Sequence, residues 1–245
     1  MKDEELLRYS RQIMLPQVDI DGQQKLIDST VLIVGMGGLG SPSAFYLAAA
    51  GVGHLILADF DQVELSNLQR QIIHSTPDVG KDKVDSAKET LLALNPEINV
   101  TTIKELTKES LATLVSQADV VLDGTDNFKS RFAINKTCVE AETPLVSAAV
   151  IRFEGQLSVF KGYEINQPCY QCLYSEEGDG AENCVENGIL APVAGVLGTM
   201  QALQAIKVLL SLGEQLCGEL MLVDALDLSF RRVGIAKDSQ CPICN

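Results

Sequence analysis

The chain has 245 residues, 46% of them hydrophobic, which suits one large α/β domain with a sizeable core better than two small ones. A formal net charge of −14, with no interleaving of aromatic and basic residues, argues against a nucleic-acid partner. No uninterrupted apolar run approaches the roughly 20 residues needed to cross a membrane. The acidic start Met1-Lys-Asp-Glu-Glu lacks a secretory h-region, so the expected setting is cytoplasmic, with no membrane partner.

In chain order, residues 4–28 read as helix, with Leu6, Leu7, Ile13 and Leu15 at mixed apolar spacing. Val31-Leu-Ile-Val34 is a short apolar run, the pattern of a strand buried on both faces. Gly35-x-Gly37-x-x-Gly40, with Gly38 as an extra, then leads into a helix over 41–51 whose first turn accommodates Pro42. His54-Leu-Ile-Leu-Ala-Asp59 is a second strand ending in an acid, and 61–76 is polar loop with short helical turns. An amphipathic helix over 83–94, a strand over 98–103, a helix near 107–116, a strand over 118–123 and a helix over 127–141 lead to Pro144-Leu-Val-Ser147. This alternation predicts a Rossmann-like, doubly wound, mostly parallel sheet. The second half changes character: 155–160, 220–224 and 229–233 suggest antiparallel strands that extend it. Between them lie a polar segment, 174–188, readable as surface loop or lid, and a helix over 193–212. That helix carries Val196, Leu197, Met200, Leu203, Ile206 and Leu209 on a wide apolar stripe. No repeat and no linker marks a domain boundary.

The glycines have mechanical uses: a tight turn, close approach of backbone N–H groups to a phosphate, and contact between helix and strand. The helix N-terminus behind them favours an anion. Asp59, about 20 residues on, stands where a carboxylate accepts hydrogen bonds from ribose hydroxyls. So far NAD serves as well as ATP. Ser66-Asn-Leu-Gln-Arg-Gln71, Lys83 and Thr125-Asp-Asn127 separate the two, because hydride transfer has no need of an arginine, a lysine and a free carboxylate aimed at phosphates. Adenylation of a carboxylate does: charge grows on the α-phosphate oxygens, and cations with Mg²⁺ stabilise it. In so acidic a chain the cations must be local, with Arg11, Arg70 and Lys83 as candidates, while Asp126 is placed to hold Mg²⁺. Each has a plain alternative: Arg70 as a surface ion pair, Lys83 as a solvated helix start, Asp126 as a helix cap.

Seven cysteines in such a chain are not expected to form a disulfide framework. Cys169-x-x-Cys172 and Cys241-x-x-Cys244 can together give one Zn²⁺ four thiolates. The competing redox reading of Cys-Pro-x-Cys expects the pair to open a helix, and no chain remains after Asn245 to form one. Cys138 reads as packing, and His54 and His74 as structural.

Arg8-Tyr-Ser-Arg-Gln12, Gly35-Met-Gly-Gly-Leu-Gly-Ser41, Asp59-Phe-Asp61, Ser66-Asn-Leu-Gln-Arg-Gln71, Gly124-Thr-Asp-Asn127 and the two cysteine pairs together resemble the ThiF/MoeB/HesA family, bacterial relatives of the ubiquitin-activating enzymes. The resemblance covers nearly the whole chain, in order. It implies ATP-dependent adenylation of the C-terminal glycine of a small ubiquitin-like sulfur carrier ending in Gly-Gly. By motif, Gly38 with Gly35 and Gly37 approaches the phosphates and Asp59 the ribose. Asn67, Arg70 and Lys83, amid Ser66, Leu68 and Gln69, hold phosphates. Asp126, followed by Asn127, binds Mg²⁺. In the family pattern Arg11 reaches the neighbouring subunit's ATP, which implies a homodimer. The single domain, 1–245, would hold nucleotide with about 25–150, and carrier and zinc with about 151–245. One departure is Gly124, where relatives often have cysteine. Cys184 lies where ThiF-like members form a covalent sulfur link with the carrier and MoeB-like members do not depend on one, and the acids around it would slow a thiolate. With no appended sulfurtransferase domain, persulfide sulfur would come from a separate donor. Asp21-Gly-Gln-Gln-Lys-Leu and Leu57-Ala-Asp59 look closer to ThiF and thiamine, and 148–155 closer to MoeB and molybdopterin. The alternatives are an NAD-dependent oxidoreductase and a non-catalytic nucleotide sensor that docks a carrier.

Overall fold

The computed structural model describes residues 1–175 and 188–245. Eight strands form one continuous sheet in the order β3-β2-β1-β4-β5-β6-β7-β8. Strands β1 (Thr30–Val34), β2 (His54–Ala58), β3 (Asn99–Ile103), β4 (Val120–Asp123) and β5 (Leu145–Ile151) run parallel. Then β6 (Glu154–Phe160), β7 (Glu219–Asp224) and β8 (Ser229–Gly234) meander antiparallel to the edge. The Rossmann-like parallel sheet with an antiparallel C-terminal extension is therefore present as expected. Val31, Leu32, Ile33 and Val34 are all buried, because helices cover both faces of this part of the sheet.

Helices α4 (Gly40–Ala50), α5 (Lys83–Leu94), α6 (Lys108–Gln117) and α7 (Phe128–Glu140) fall within a residue or two of the expected spans. The one long helix expected over 4–28 is instead three pieces: α1 (Asp3–Arg8), α2 (Ser10–Ile13) and α3 (Asp19–Asp28). Pro16 lacks the N–H a continuous helix needs, and Asp19 turns to φ 47°. At the α1–α2 junction Tyr9 buries its ring, with its hydroxyl accepting from Asn95 Nδ2 at 2.9 Å beyond the end of α5. A short α8 (Tyr170–Leu173), which the pattern did not announce, begins at Cys169.

Helix α9 (Ala191–Leu210) is long and apolar enough, by length and composition alone, to cross a membrane, yet half of its most apolar window is buried inside the protein. It packs against α4, β5 and β6. Its buried face is Val193, Leu197, Ala202, Ala205 and Leu209, whereas Val196 and Leu203 of the expected stripe are exposed. Two polar residues lock it under the site. Gln201 Nε2 donates to the carbonyls of Asp123 (2.8 Å) and Val146 (2.9 Å), and Ser43 Oγ donates to the Gly198 carbonyl at 2.8 Å.

Candidate active site

The strand order reverses direction between β1 and β4, and the carboxyl ends of those two strands open a crevice, the place where open α/β sheets bind ligands. Gly35 leaves β1 at φ +94°, and a Cβ there would stand 2.9 Å from the Gly124 backbone at the end of β4. A Cβ at Gly40 would come within 1.9 Å of the Gly35 carbonyl oxygen, so only glycine permits this turn into α4. The loop is further held by Asp59, whose Oδ2 accepts from Met36 N–H (2.7 Å) and whose Oδ1 accepts from Asp61 N–H (2.9 Å).

The crevice is a cleft of about 920 Å³. Gly35, Gly37, Gly38, Asp59, Ser66, Gln69, Arg70, Lys83, Asp126 and Asn127 all line it, so ten of the residues singled out from sequence meet in one place. The Arg70 side chain passes beside Gly38, where a Cβ would stand 3.4 Å from its Cγ. Lys83, 7% exposed, points its ammonium at Asp61 Oδ2 over 2.7 Å. Gln71, buried beside Gly37, leaves Oε1 without a partner among the described residues. Glycine backbone, a helix N-terminus and two cations in one cleft suit a polyphosphate, and the Asp59 carboxylate at the end of β2 lines the same cleft.

Some candidates stand elsewhere. Asn67 and Leu68 sit just behind the wall: Asn67 Oδ1 accepts from Glu64 N–H at 3.3 Å, and its carbonyl accepts from the N–H groups of Arg70 and Gln71. Arg11, exposed on α2, is outside the cleft of its own chain. Cys184 lies outside the described residues. Asp126 is three residues beyond the end of β4 and exposed, and the cap of α7 is Asn127, whose side chain accepts from Ser130 N–H. The Asp126 loop is shaped by Asp123. That buried acid accepts from the Thr125 N–H (2.9 Å) and hydroxyl (2.7 Å), and from Ser147 Oγ (3.2 Å).

Sequence reasoning missed Arg131. It is buried one turn into α7, donating to the carbonyls of Thr125 and of Ala148, the latter at 3.1 Å. It lines the first cleft and also a second one of about 390 Å³, where Asp126 and Val150 are shared as well. The phenylalanines and tyrosines, scattered singly in sequence, partly converge here. Phe128, Phe132, Phe160, Tyr170 and Tyr174 form a chain of ring contacts, the closest 4.8 Å between Tyr170 and Tyr174. Burial pushes the Tyr170 phenol up to about 12, so it stays neutral. Only spatial neighbours identify Arg131; one arginine in a helix carries no signal of its own.

Away from the clefts, Cys169, Cys172, Cys241 and Cys244 converge, with all four Sγ atoms within 4.8 Å of one another. Cys169–Cys241 and Cys172–Cys244 stand at 3.6 and 3.4 Å. A tetrahedral ion with Zn–S bonds near 2.3 Å spaces its sulfurs about 3.8 Å apart, so the donor set fits such an ion. Cys169 does begin a helical turn, as a redox pair would, but the second pair packed against it makes a four-thiol cluster instead. Cys138 is buried in α7, as a packing cysteine is expected to be; of the two histidines read as structural, His74 is buried and His54 only partly so.

The ThiF family matches residues 9–243. The chain belongs to the ThiF family. It is 47% identical to the molybdopterin-synthase adenylyltransferase of Escherichia coli K12, over all of this chain and 98% of that protein. It is 48% identical to the sulfur carrier protein ThiS adenylyltransferase of the same organism, over all of this chain and 97% of that protein. Among solved structures it resembles E. coli MccB with ATP, at 28% identity and a TM-score of 0.82, over 97% of this chain and 74% of that one.

Proposed function

We propose that this ThiF-family protein is an adenylyltransferase that uses ATP to activate the C-terminal glycine of a small ubiquitin-like sulfur carrier, ThiS-like or MoaD-like, for thiocarboxylate formation in thiamine or molybdopterin biosynthesis. One observation carries the reading: the cleft lined by Arg70, Lys83 and Asp59 meets a second cleft at Asp126, Arg131 and Val150. A nucleotide in the first and an extended Gly-Gly tail in the second would meet at Asp126. The relatives' names support the same chemistry, and identities of 47% and 48% do not choose between the two carriers. An NAD enzyme would leave the two cations and Asp126 without a joint purpose.

In the step proposed, a carboxylate oxygen of the carrier's last glycine attacks the α-phosphorus. The bond to the bridging oxygen of the β-phosphate breaks, pyrophosphate leaves, and the carrier keeps AMP as a mixed anhydride. Arg70 and Lys83 take the charge that moves onto the phosphates, and the glycine-loop N–H groups hold them in line. Mg²⁺, when bound at Asp126, would neutralise phosphate charge and favour pyrophosphate as leaving group. Zn²⁺ in the four-thiol cluster would be structural, tying the Cys241–Cys244 segment to α8.

Arg11 would act in a homodimer, reaching the ATP of the partner subunit. It stands exposed on α2, near in sequence to exposed Leu7 (77%), Met14 (71%) and Leu15, apolar side chains that a second copy could cover. Nucleotide would be held chiefly by about 25–150, and carrier and zinc by about 151–245, although Gly188, Ile189 and Ala194 also border the nucleotide cleft. Sulfur would come from a separate persulfide donor, and a reducing cytoplasm suits the free thiols. The direct test is mass spectrometry of a Gly-Gly-ending carrier incubated with the protein and Mg·ATP. An adenylate adduct on the terminal glycine is expected; an unmodified carrier beside a protein that still binds ATP would mean a nucleotide sensor instead.

A further inference from the structure

We infer that His74 is a positioning residue of the nucleotide site, a buried joint that sets the spacing between the glycine loop and the helix carrying Lys83. The inference rests on the first cleft being an ATP site. His74 does not line that cleft, so whatever it does there it does through its neighbours.

Its two ring nitrogens reach two different walls. Nε2 lies 3.2 Å from the carbonyl oxygen of Met36, inside the glycine loop, and Nδ1 lies 2.9 Å from Ser86 Oγ on α5. A carbonyl only accepts, so Nε2 carries the hydrogen, and Nδ1 then accepts from the serine hydroxyl. Ser86 is itself buried and stands three residues after Lys83, on the same side of α5. The imidazole therefore spans from the phosphate-facing loop to the turn that holds the ammonium. The two peptides that flank Met36 are both held, the Met36 carbonyl by His74 and the Met36 N–H by Asp59 Oδ2 at 2.7 Å.

A third segment ends on the same residue. The His74 N–H donates to the Gln71 carbonyl at 3.1 Å, which closes the Asn67–Gln71 turns that present Arg70. The ring thus joins the glycine loop to the Lys83 helix, far apart in sequence, and the backbone N–H of the same residue ties in the Arg70 turn. A solvent-facing histidine would not hold them, but His74 is 6% exposed and has both nitrogens engaged, so the spacing is fixed by two bonds sheltered from water. Burial pushes the imidazole down, and Lys83 on α5 pushes the same way. The Met36 carbonyl, Asp78 of the 3₁₀ turn Thr76–Asp78 and Asp59 at the end of β2 act against them. The ring is neutral at pH 7, and the phosphate wall gains no third cation from it.

The experiment is calorimetric binding of a non-hydrolysable ATP analogue with Mg²⁺, without carrier, to the full chain and to His74→Ala, His74→Gln and Ser86→Ala, each with its melting curve. Glutamine can present an N–H near the place of Nε2, so it tests the Met36 bond apart from the bulk of the ring. His74→Ala is expected to weaken analogue binding about tenfold, equivalent to ~1.4 kcal/mol. His74→Gln should recover most of that loss, and Ser86→Ala should fall between the two. A lowered melting temperature with unchanged analogue affinity in the variants that fold would show a merely structural histidine and overturn the inference. Should His74→Ala not fold, wild-type affinity in Ser86→Ala together with equal affinity in His74→Gln would overturn it as well. If the unaltered chain binds no analogue, the ATP reading itself falls, and the positioning role with it.

Discussion

Replacing Lys83 by methionine removes one charge from the wall of the first cleft, the proposed phosphate side, and keeps the buried stem. Two magnitudes follow from its surroundings. Lys83 lines the first cleft, and if it stabilises developing charge there as proposed, its loss should lower turnover by roughly 10²–10³-fold, about 3–4 kcal/mol of barrier. Its ground-state partner, Asp61, is 50% exposed, so the lost ion pair is well screened and costs ~0–1 kcal/mol of stability. At this chain length that is a shift of no more than about 4 °C in melting temperature. The assay is carrier-dependent ATP–pyrophosphate exchange beside a melting curve. Asp61→Asn serves as the comparison, because it breaks the same 2.7 Å pair but leaves the ammonium, and it should lose less than about tenfold. Near-normal exchange in Lys83→Met would refute the phosphate role. Equal losses in both variants would refute it too, since the pair and not the cation would then matter.

Gly35→Ala should be among the costliest single changes in the site. The +94° φ costs about 1–2 kcal/mol for a side chain, and a Cβ 2.9 Å from the Gly124 backbone adds ~1–3 kcal/mol, readable as a lower urea midpoint. A midpoint equal to the parent's would contradict the packing described between β1 and β4. Elemental analysis should find one zinc ion per chain and none in Cys241→Ser, whose C-terminal segment should become sensitive to protease; full zinc in that variant would remove Cys241 from the ligand set. Arg11→Ala and Lys83→Met should each be poor in exchange, yet mixing the two after reversible dissociation should restore part of it, because a hybrid dimer has one intact site. No recovery on mixing would place the Arg11 guanidinium outside the partner's cleft.

The parallel half of the fold was legible because β1, β2 and β4 are short apolar runs that end on turn residues or acids, and its helices show caps and periodicity; α5 begins and ends where expected. The residues that line the first cleft were legible as motifs because most come from loops at strand ends or from helix starts beside them, and the fold brings such ends together. What resisted reading was tertiary. Pro16 is the local cue to the break between α2 and α3, but the burial of Tyr9 against Asn95 is a contact across 86 positions. The exposed side of α9, with Val196 and Leu203, could not be told from its buried side, since apolar residues occupy both. Arg131, Asp123 and the aromatic chain around Tyr170 stand at ordinary helix and strand positions, and only their spatial neighbours give them a context: both clefts for Arg131, the Thr125 and Ser147 contacts for Asp123, and the second cleft for Phe128 and Tyr170.

The most direct test of the proposed activity is ATP–pyrophosphate exchange with two carriers, one ThiS-like and one MoaD-like, each with and without its terminal Gly-Gly. Exchange that appears with one carrier and vanishes when its last glycine is removed is the expected result, and it would name the pathway. ATP binding without exchange for either carrier would contradict the assignment of a sulfur carrier as substrate.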